Sequence, residues 1–380
     1  MTAALSIWEK ESFYAPQDII IAGAGLMGLW TALELKQKHP QRRITILERN
    51  TIPLGASTRN AGFACFGSPT ELLHDAETQG IDNMLRIVEM RYKGIEKIRN
   101  YLKDEEIDFD PCGGYECINA DYKHWGNLDD KILELNQALK QITGNTSIFE
   151  RTTEKLTTLG LQGFDALVEN RTEAALHSGK LVQALAQKLL ASGVHILYGT
   201  GISGWHEAGN DIEVETNGQV MIKTKQLIYC TNAFTQTLLP ETGITPARGQ
   251  IIVTSPIEGL AMKGTFHYDE GFYYWRNLGN RILLGGARNE AFAEEETLNM
   301  DGSAIVRNAL VAFLKKHLHS SYQYTIEHQW SGIMAFTENK QPMVKQLANN
   351  VFAAIACNGM GVALTPVIAE EMARMVSTNF

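Results

Sequence analysis

The sequence predicts an α/β fold: a Rossmann-like domain on a central parallel sheet, interleaved with a smaller α+β domain built on a mixed or antiparallel sheet. Three observations carry this. D-I-I-I-A-G-A-G-L-M-G-L-W, from Asp18, runs from a β-branched stretch through spaced glycines into an apolar segment of helical spacing. The tail, N-V-F-A-A-I-A-C-N-G-M-G-V-A-L-T, repeats strand, glycine turn and helix. Between them lie runs that alternate apolar and polar, the mark of half-buried strands.

Taken in order, Asp18–Ala22 reads as a buried strand, because a continuous β-branched run suits a strand covered on both faces. Leu29–Lys38 has helical spacing and stops before Pro40. Ile44–Leu47 is a second buried strand closing on Glu48, so the three make a βαβ unit. G-A-S-T-R-N-A-G-F-A-C-F-G-S-P-T-E-L-L is rich in Gly and Ser and begins as a loop. Residues 81–104 form an amphipathic helix. Val182–Leu190 is a helix leading into the strand Val194–Tyr198. From 205 to 230 the pattern alternates, with turns at Gly209-Asn210 and Asn217-Gly218. Further strands are expected at 248–255, 271–276 and 281–285. No repeat or long linker appears, so both domains are expected to be discontinuous. The first takes 1–90, 150–232 and 340–380, and the second 91–149 and 233–339.

Composition excludes several function classes. The 380 residues are 44% hydrophobic and 20% charged, enough for well-filled cores. A net charge of −9 argues against a nucleic-acid partner, which requires clustered Lys and Arg. The five cysteines (Cys65, Cys112, Cys117, Cys230, Cys357) are sparse and odd in number, as expected of reduced thiols in a cytoplasmic chain. The first eighteen residues lack the basic-then-apolar order of a signal peptide. Fifteen uncharged residues separate Asp18 from Glu34, short of the ~20 that a spanning helix needs, so no transmembrane segment is expected. Histidine and cysteine spacings match no metal motif, and no G-x-S-x-G elbow is present.

Gly23, Gly25 and Gly28 form G-x-G-x-x-G between strand and helix. The first glycine allows the tight turn, the second lets backbone approach a pyrophosphate, and the third allows close helix–strand packing. Glu48, twenty residues beyond Gly28 and at a strand end, is set to accept hydrogen bonds from a ribose. The cradle alone admits NAD or FAD. A second match, Gly199-Thr200-Gly201-Ile202-Ser203-Gly204, is followed by a hairpin pattern rather than a helix, so it offers no phosphate site.

G-A-S-T-R-N-A-G (Gly55–Gly62) resembles the loop after the second strand in FAD-dependent amino-acid and amine oxidases, the group of D-amino-acid oxidase, glycine oxidase and sarcosine oxidase. Similar segments continue in order at 175–200, 231–234, 246–250, 271–286, 328–344 and 356–365. The Y-Y…N-R-I-L-L-G-G and G-M-G-V-A-L-T wording is similar to the γ-glutamylputrescine oxidoreductase-like branch. The resemblance implies non-covalent FAD on Gly23, Gly25, Leu26, Met27 and Gly28, with Glu48 and Arg49 at its adenosine. Ser57, Thr58, Arg59, Asn60, Ala61 and Gly62 would run towards the pyrophosphate or flavin ring. Gly201 and Ile202 would lie beside adenine, and Thr231, Asn232, Arg248 and Gly332 would add contacts. Asn358, Gly359, Met360, Gly361 and Val362 would set a helix N-terminus against the flavin N1–C2=O edge, where a helix dipole stabilises negative charge.

The same resemblance implies oxidation of a C–N bond in an amine or amino-acid derivative, with hydride transfer to flavin N5 and hydrolysis of the imine. No catalytic side chain is assigned, and the electron acceptor is oxygen or another oxidant. Substrate contacts would come from Tyr273, Tyr274, Arg276, His267, Trp330 and Met334. Only one of Tyr273 and Tyr274 can face a given side of a strand, and the family match favours Tyr273. Met334 stands where glycine-oxidase-like members carry a carboxylate-binding arginine and sarcosine oxidases a flavin-linking cysteine; it can do neither, which tells against a small free α-amino acid held in the usual manner, and Arg276 or Arg288 is read as a solvated surface residue rather than as a substitute. Leu283 falls where sarcosine oxidases place an oxygen-activating lysine, so a dehydrogenase remains open. Cys65 and Cys357 read as small buried apolar residues. Oxidation of a C–O bond in a 2-hydroxy acid, or flavin binding without turnover, are the alternative functions.

Overall fold

Ile19, Ile20 and Ile21 are fully buried in the strand Gln17–Ala22, as the central strand of a parallel sheet requires. The structure, a computed structural model, describes residues 4–378. The chain forms two compact units. One comprises the chain up to Thr58, Ser178–Pro246 and the chain from Met334; the other comprises Arg59–His177 and Ala247–Ile333.

In the first unit, Val351–Ile355, Met221–Tyr229, Gln17–Ala22, Ile44–Glu48 and His195–Tyr198 lie side by side in parallel. Met343–Ala348 adds an antiparallel edge, and the meander Ile202–Ala208, Asp211–Thr216, Met221–Tyr229 supplies the expected hairpins. The helix Leu26–Lys38 buries every residue from Leu26 to Leu35 and packs against the helices Ser178–Ala191 and Gly361–Ser377. A helix buried on all sides belongs in the middle of its layer. Burial of each of its large apolar side chains, Leu29 and Trp30 among them, stabilises the unit by about 1.5–3 kcal/mol. Gly199–Gly204 leads into the strand Ile202–Ala208 and not into a helix.

The second unit is built on an eight-stranded sheet in the order Ile326–Phe336, Thr245–Thr254, Arg281–Gly286, Tyr273–Leu278, Thr265–Tyr268, Gly114–Ile118, Ala166–Asn170, Phe149–Arg151. Thr265–Tyr268 runs parallel to Gly114–Ile118 and antiparallel to Tyr273–Leu278. One apolar core contains Phe266, Trp275 and Phe313, the last from the helix Ala304–His317.

The unit boundaries differ from the sequence expectation. Residues 59–90 and 150–177 belong with the second unit: Ala166–Asn170 pairs with Gly114–Ile118, and Phe66, Leu72, Met84 and Val168 share one core. Residues 233–246 and 334–339 belong with the first. Helical periodicity identified the helix Ile81–Tyr101 but carries no information about which sheet covers it. Among the described residues no helix is long and apolar enough to cross a membrane.

Candidate functional site

The glycine cradle lies at the carboxyl ends of the parallel strands of the first unit, where open α/β sheets bind ligands. A Cβ on Gly28 would fall well inside 3.0 Å of the Gly23 carbonyl oxygen, so only glycine permits this approach of helix to strand end. The Gly23 N–H bonds Leu47 O at 2.8 Å, and the Ala24 N–H bonds Glu48 Oε2 at 3.0 Å. Glu48 Oε1 accepts the Asn50 N–H at 3.1 Å, and the Thr200 N–H bonds Glu48 O at 2.8 Å. The Leu26 N–H donates to Ser57 Oγ at 2.9 Å, and Thr58 Oγ1 donates to Pro53 O. Arg49 stacks over the Phe234 ring at 3.9 Å, beside Gly201, whose N–H bonds Asn217 Oδ1 at 3.1 Å. Ile202 begins the next strand. Thr231 follows the strand Met221–Tyr229, its Cα near Gly23, and Asn232 has φ +49°.

The tail turn belongs to the same unit. Ala356, Asn358 and Gly359 all have positive φ, and for two non-glycines this is strained backbone. Asn358 holds the turn: its Oδ1 accepts the Thr337 N–H at 2.8 Å and its Nδ2 donates to Ala356 O at 3.0 Å. Met360 precedes the helix Gly361–Ser377, Val362 is buried in its first turn, and Met334 Sδ lies by Gly359. Burial pushes the Cys357 thiol up to about 12, which keeps it inert.

The helices Leu26–Lys38 and Gly361–Ser377 share a property. Neither receives a hydrogen bond from its N-cap side chain, and neither has an acidic residue in its first turn. Helix ends with no acidic residue in the first turn suit a pyrophosphate at one and an electron-rich ring edge at the other. In the second unit, Arg59 Nη1 donates to Ser331 O at 2.8 Å, while Arg59 Nε is buried with no hydrogen-bond partner among the described residues. It is a donor that a phosphate or ring carbonyl of FAD would satisfy. These features fit FAD.

The second unit separates the two tyrosines. Tyr273 points into the apolar core, stacked on Phe313 at 4.6 Å, with its hydroxyl donating to Glu290 Oε1 at 3.1 Å. Tyr274 lies on the opposite face, with Phe63, Trp330, Ala61, Ile251, Val253 and Leu283. Its ring lies over Gly285, its cross-strand partner, where any Cβ would collide with it. Strand alternation separates the pair but does not say which side is the core; the structure puts Tyr273 on the core side. Burial pushes the Tyr274 phenol up to about 12 although Arg288 opposes the shift. Burial also lowers the Arg288 guanidinium from its ordinary value, against the pull of Tyr274, Glu295 and Glu296.

Two arginines are committed elsewhere. Arg276 Nη1 donates to Gly62 O and Leu176 O, both at 2.9 Å, so its guanidinium ties two backbone segments together rather than standing ready for a carboxylate. Arg248 forms a bidentate pair with buried Glu295 at 2.8 and 2.9 Å and also donates to Asp301 O. Its expected contact with the cofactor does not fit that pairing. Trp330 Nε1 donates to Arg59 O at 3.0 Å, Asn60 Oδ1 accepts the Gly62 N–H at 2.8 Å, and Gly332 is buried in the strand Ile326–Phe336.

His267 is buried against Glu173, Nε2 to Oε1 2.6 Å, and the Cys65 thiol lies within 4.8 Å of both groups. Arg91 donates to Cys65 Sγ at 3.4 Å and to Glu71 at 2.8 Å, and Thr265 Oγ1 donates to Glu173 at 2.8 Å. The cluster is thus closed by its own hydrogen bonds. Sequence reasoning missed Glu173, because no local pattern links positions 65, 173 and 267.

Residues 18–375 match the FAD dependent oxidoreductase family (DAO). A probable oxidoreductase (OrdL) of Haemophilus influenzae is 24% identical, over 94% of this chain and 82% of its own. The γ-glutamylputrescine oxidoreductase of Escherichia coli is 21% identical, over 94% and 83%. The crystal structure of glycine oxidase from Geobacillus kaustophilus superposes with a TM-score of 0.75 at 17% identity, covering 96% of this chain and 95% of that one. The chain belongs to the FAD dependent oxidoreductase family and is an FAD-dependent oxidoreductase.

Proposed function

We propose that this flavoenzyme oxidises a C–N bond in an amine or amino-acid derivative that carries an anionic group, and that its FAD is held without a covalent bond. The observation that supports this most directly is the face around Tyr274, where Phe63, Trp330 and aliphatic side chains surround one phenol. Bound FAD would supply a two-electron acceptor for hydride from the carbon beside nitrogen, leaving an imine that water hydrolyses. The side chains do the rest. The apolar face strips water from the substrate amine, which disfavours its charged form and leaves the lone pair available. The Tyr274 hydroxyl orients the anionic group, and Arg288, stacked over the Phe292 ring at 4.9 Å, supplies positive charge beside Tyr274. The two helix N-termini of the first unit would hold the cofactor. No side chain is needed as general base once the amine is neutral.

The test is anaerobic reduction of the purified holoenzyme by a panel of amines, N-methyl amino acids and D-amino acids set against 2-hydroxy acids. Bleaching of the flavin by members of the amine set is the expected result. Bleaching by 2-hydroxy acids alone would replace this reading with oxidation of a C–O bond.

A further inference from the structure

We propose that His267, paired with Glu173, is a positioning residue: it holds the ring of Phe63 and, through that ring, Tyr274. This deepens the reading above and rests on Tyr274 being the substrate-facing tyrosine.

The geometry is a short relay within the second unit. Phe63 meets the His267 imidazole edge-on at 5.3 Å and 88°, and meets Tyr274 edge-on at 6.0 Å and 79°. Edge-to-face contacts fix ring orientation better than aliphatic packing, because the positive edge of one ring seeks the negative face of the next. His267 is itself anchored: Nε2 is bound to Glu173 Oε1 at 2.6 Å, and Thr265 Oγ1 donates to the same oxygen at 2.8 Å. Glu173 immediately precedes Ala174–Ala175, the two residues that pair with Phe63–Ala64. One short segment therefore supplies both the backbone ladder under Phe63 and the carboxylate that anchors the imidazole beside its ring. The Arg276 guanidinium closes the end of that ladder by bonding Gly62 O and Leu176 O. Phe63 is thus held through its backbone by one pair of contacts and through its ring by another.

A buried ion pair is an expensive way to fill space, since desolvation of both charges must be offset. Here the offset comes from the surroundings. Burial alone would lower the imidazole, but Glu173, then Glu71 from the helix Pro69–Gln79 and Glu116 from the strand Gly114–Ile118, together raise it above its ordinary value. Arg91, from the helix Ile81–Tyr101, the Cys65 thiol and the phenol of Tyr274, its cross-strand partner, also lie beside it. The imidazolium therefore persists to a higher pH than an exposed histidine would allow. When it deprotonates, the charge-assisted bond to Glu173 weakens and the ring stack loosens.

The experiment compares substrate KM and kcat across pH for the wild-type holoenzyme and for Glu173→Gln, His267→Gln and Tyr274→Phe. In the wild type KM rises on the alkaline side. In Glu173→Gln, which keeps shape and hydrogen bonding but not charge, that limb moves to lower pH. In His267→Gln the limb disappears and KM is raised by about tenfold at neutral pH, with kcat changed less. A limb that stays in place in Glu173→Gln, while Tyr274→Phe weakens binding, overturns the positioning role. A Tyr274→Phe enzyme with unaltered KM overturns the substrate reading instead. Should Glu173→Gln not fold, the imidazole proton signal that vanishes in His267→Gln decides the matter: titration above the ordinary histidine range upholds the pair, and titration within or below it overturns the pair.

Discussion

Replacing Gly28 by Ala tests the cradle on its tightest contact. The added Cβ would lie well inside 3.0 Å of Gly23 O, 3.1 Å from Gly23 C and 3.4 Å from Ile21 Cγ2. Gly23 cannot retreat easily, because its N–H bonds Leu47 O and the next N–H bonds Glu48. Relief requires the helix N-terminus to move by roughly 1 Å in a close-packed layer. Overpacking of this kind costs about 3 kcal/mol at the upper end of its range. The better helix propensity of Ala returns about 1 kcal/mol, for a net loss of about 2 kcal/mol. In a unit of this size that lowers the melting temperature by roughly 4–8 °C. The displaced helix end also loses aim on the pyrophosphate, and one charged hydrogen bond lost weakens FAD by about tenfold or more. Gly55→Ala is the control in the same unit, since nothing lies within 4 Å of its Cβ. Calorimetry with and without FAD, together with fluorescence titration of FAD, reads both effects. Wild-type melting and wild-type FAD affinity in Gly28→Ala would refute the close-approach argument.

Three further outcomes are expected. Glu48→Ala leaves the Ala24 N–H without its acceptor and lowers FAD affinity by about 1–3 kcal/mol in equilibrium dialysis. Glu295→Gln strands the buried Arg248 charge and destabilises the protein by about 3–5 kcal/mol in denaturant melts, with no specific loss of FAD affinity. Glu116 accepts bonds from Ser68 and Thr70, yet burial outweighs them and raises its carboxyl from 4.5 to about 7. The folded state therefore binds this proton more tightly than the unfolded state. Stability falls as pH rises between these values, by about 3 kcal/mol in all, and is flat above them for this group. Glu116→Gln is expected to flatten that slope in melts followed across pH.

What the sequence made legible is what local sterics decide. Gly23, Gly25, Gly28 and Glu48 could be found because tight turn, helix entry and strand end fall within one short βαβ unit, and the structure keeps them together. The glycine turn before the helix Gly361–Ser377 is legible on the same grounds. Long-range pairing was not legible. Nothing near Arg248 announces Glu295, and nothing near His267 announces Glu173. Tyr273 and Tyr274 could be separated but not oriented, although the Tyr274–Gly285 cross-strand pair, with its ring over the glycine, is a signal that the hairpin register would have exposed. The domain boundaries moved because helical spacing in Ile81–Tyr101 marks an apolar face without naming the strands that cover it.

The proposed cleavage of a C–N bond is tested most directly by product balance in a single anaerobic turnover. The holoenzyme is mixed with less than one equivalent of an amine that bleaches its flavin, and the quenched mixture is assayed for carbonyl compound and for released ammonium or primary amine. One carbonyl and one nitrogen product are expected for each flavin reduced by an acyclic amine. Reduced flavin with neither imine nor carbonyl at the amine-bearing carbon would overturn the proposal.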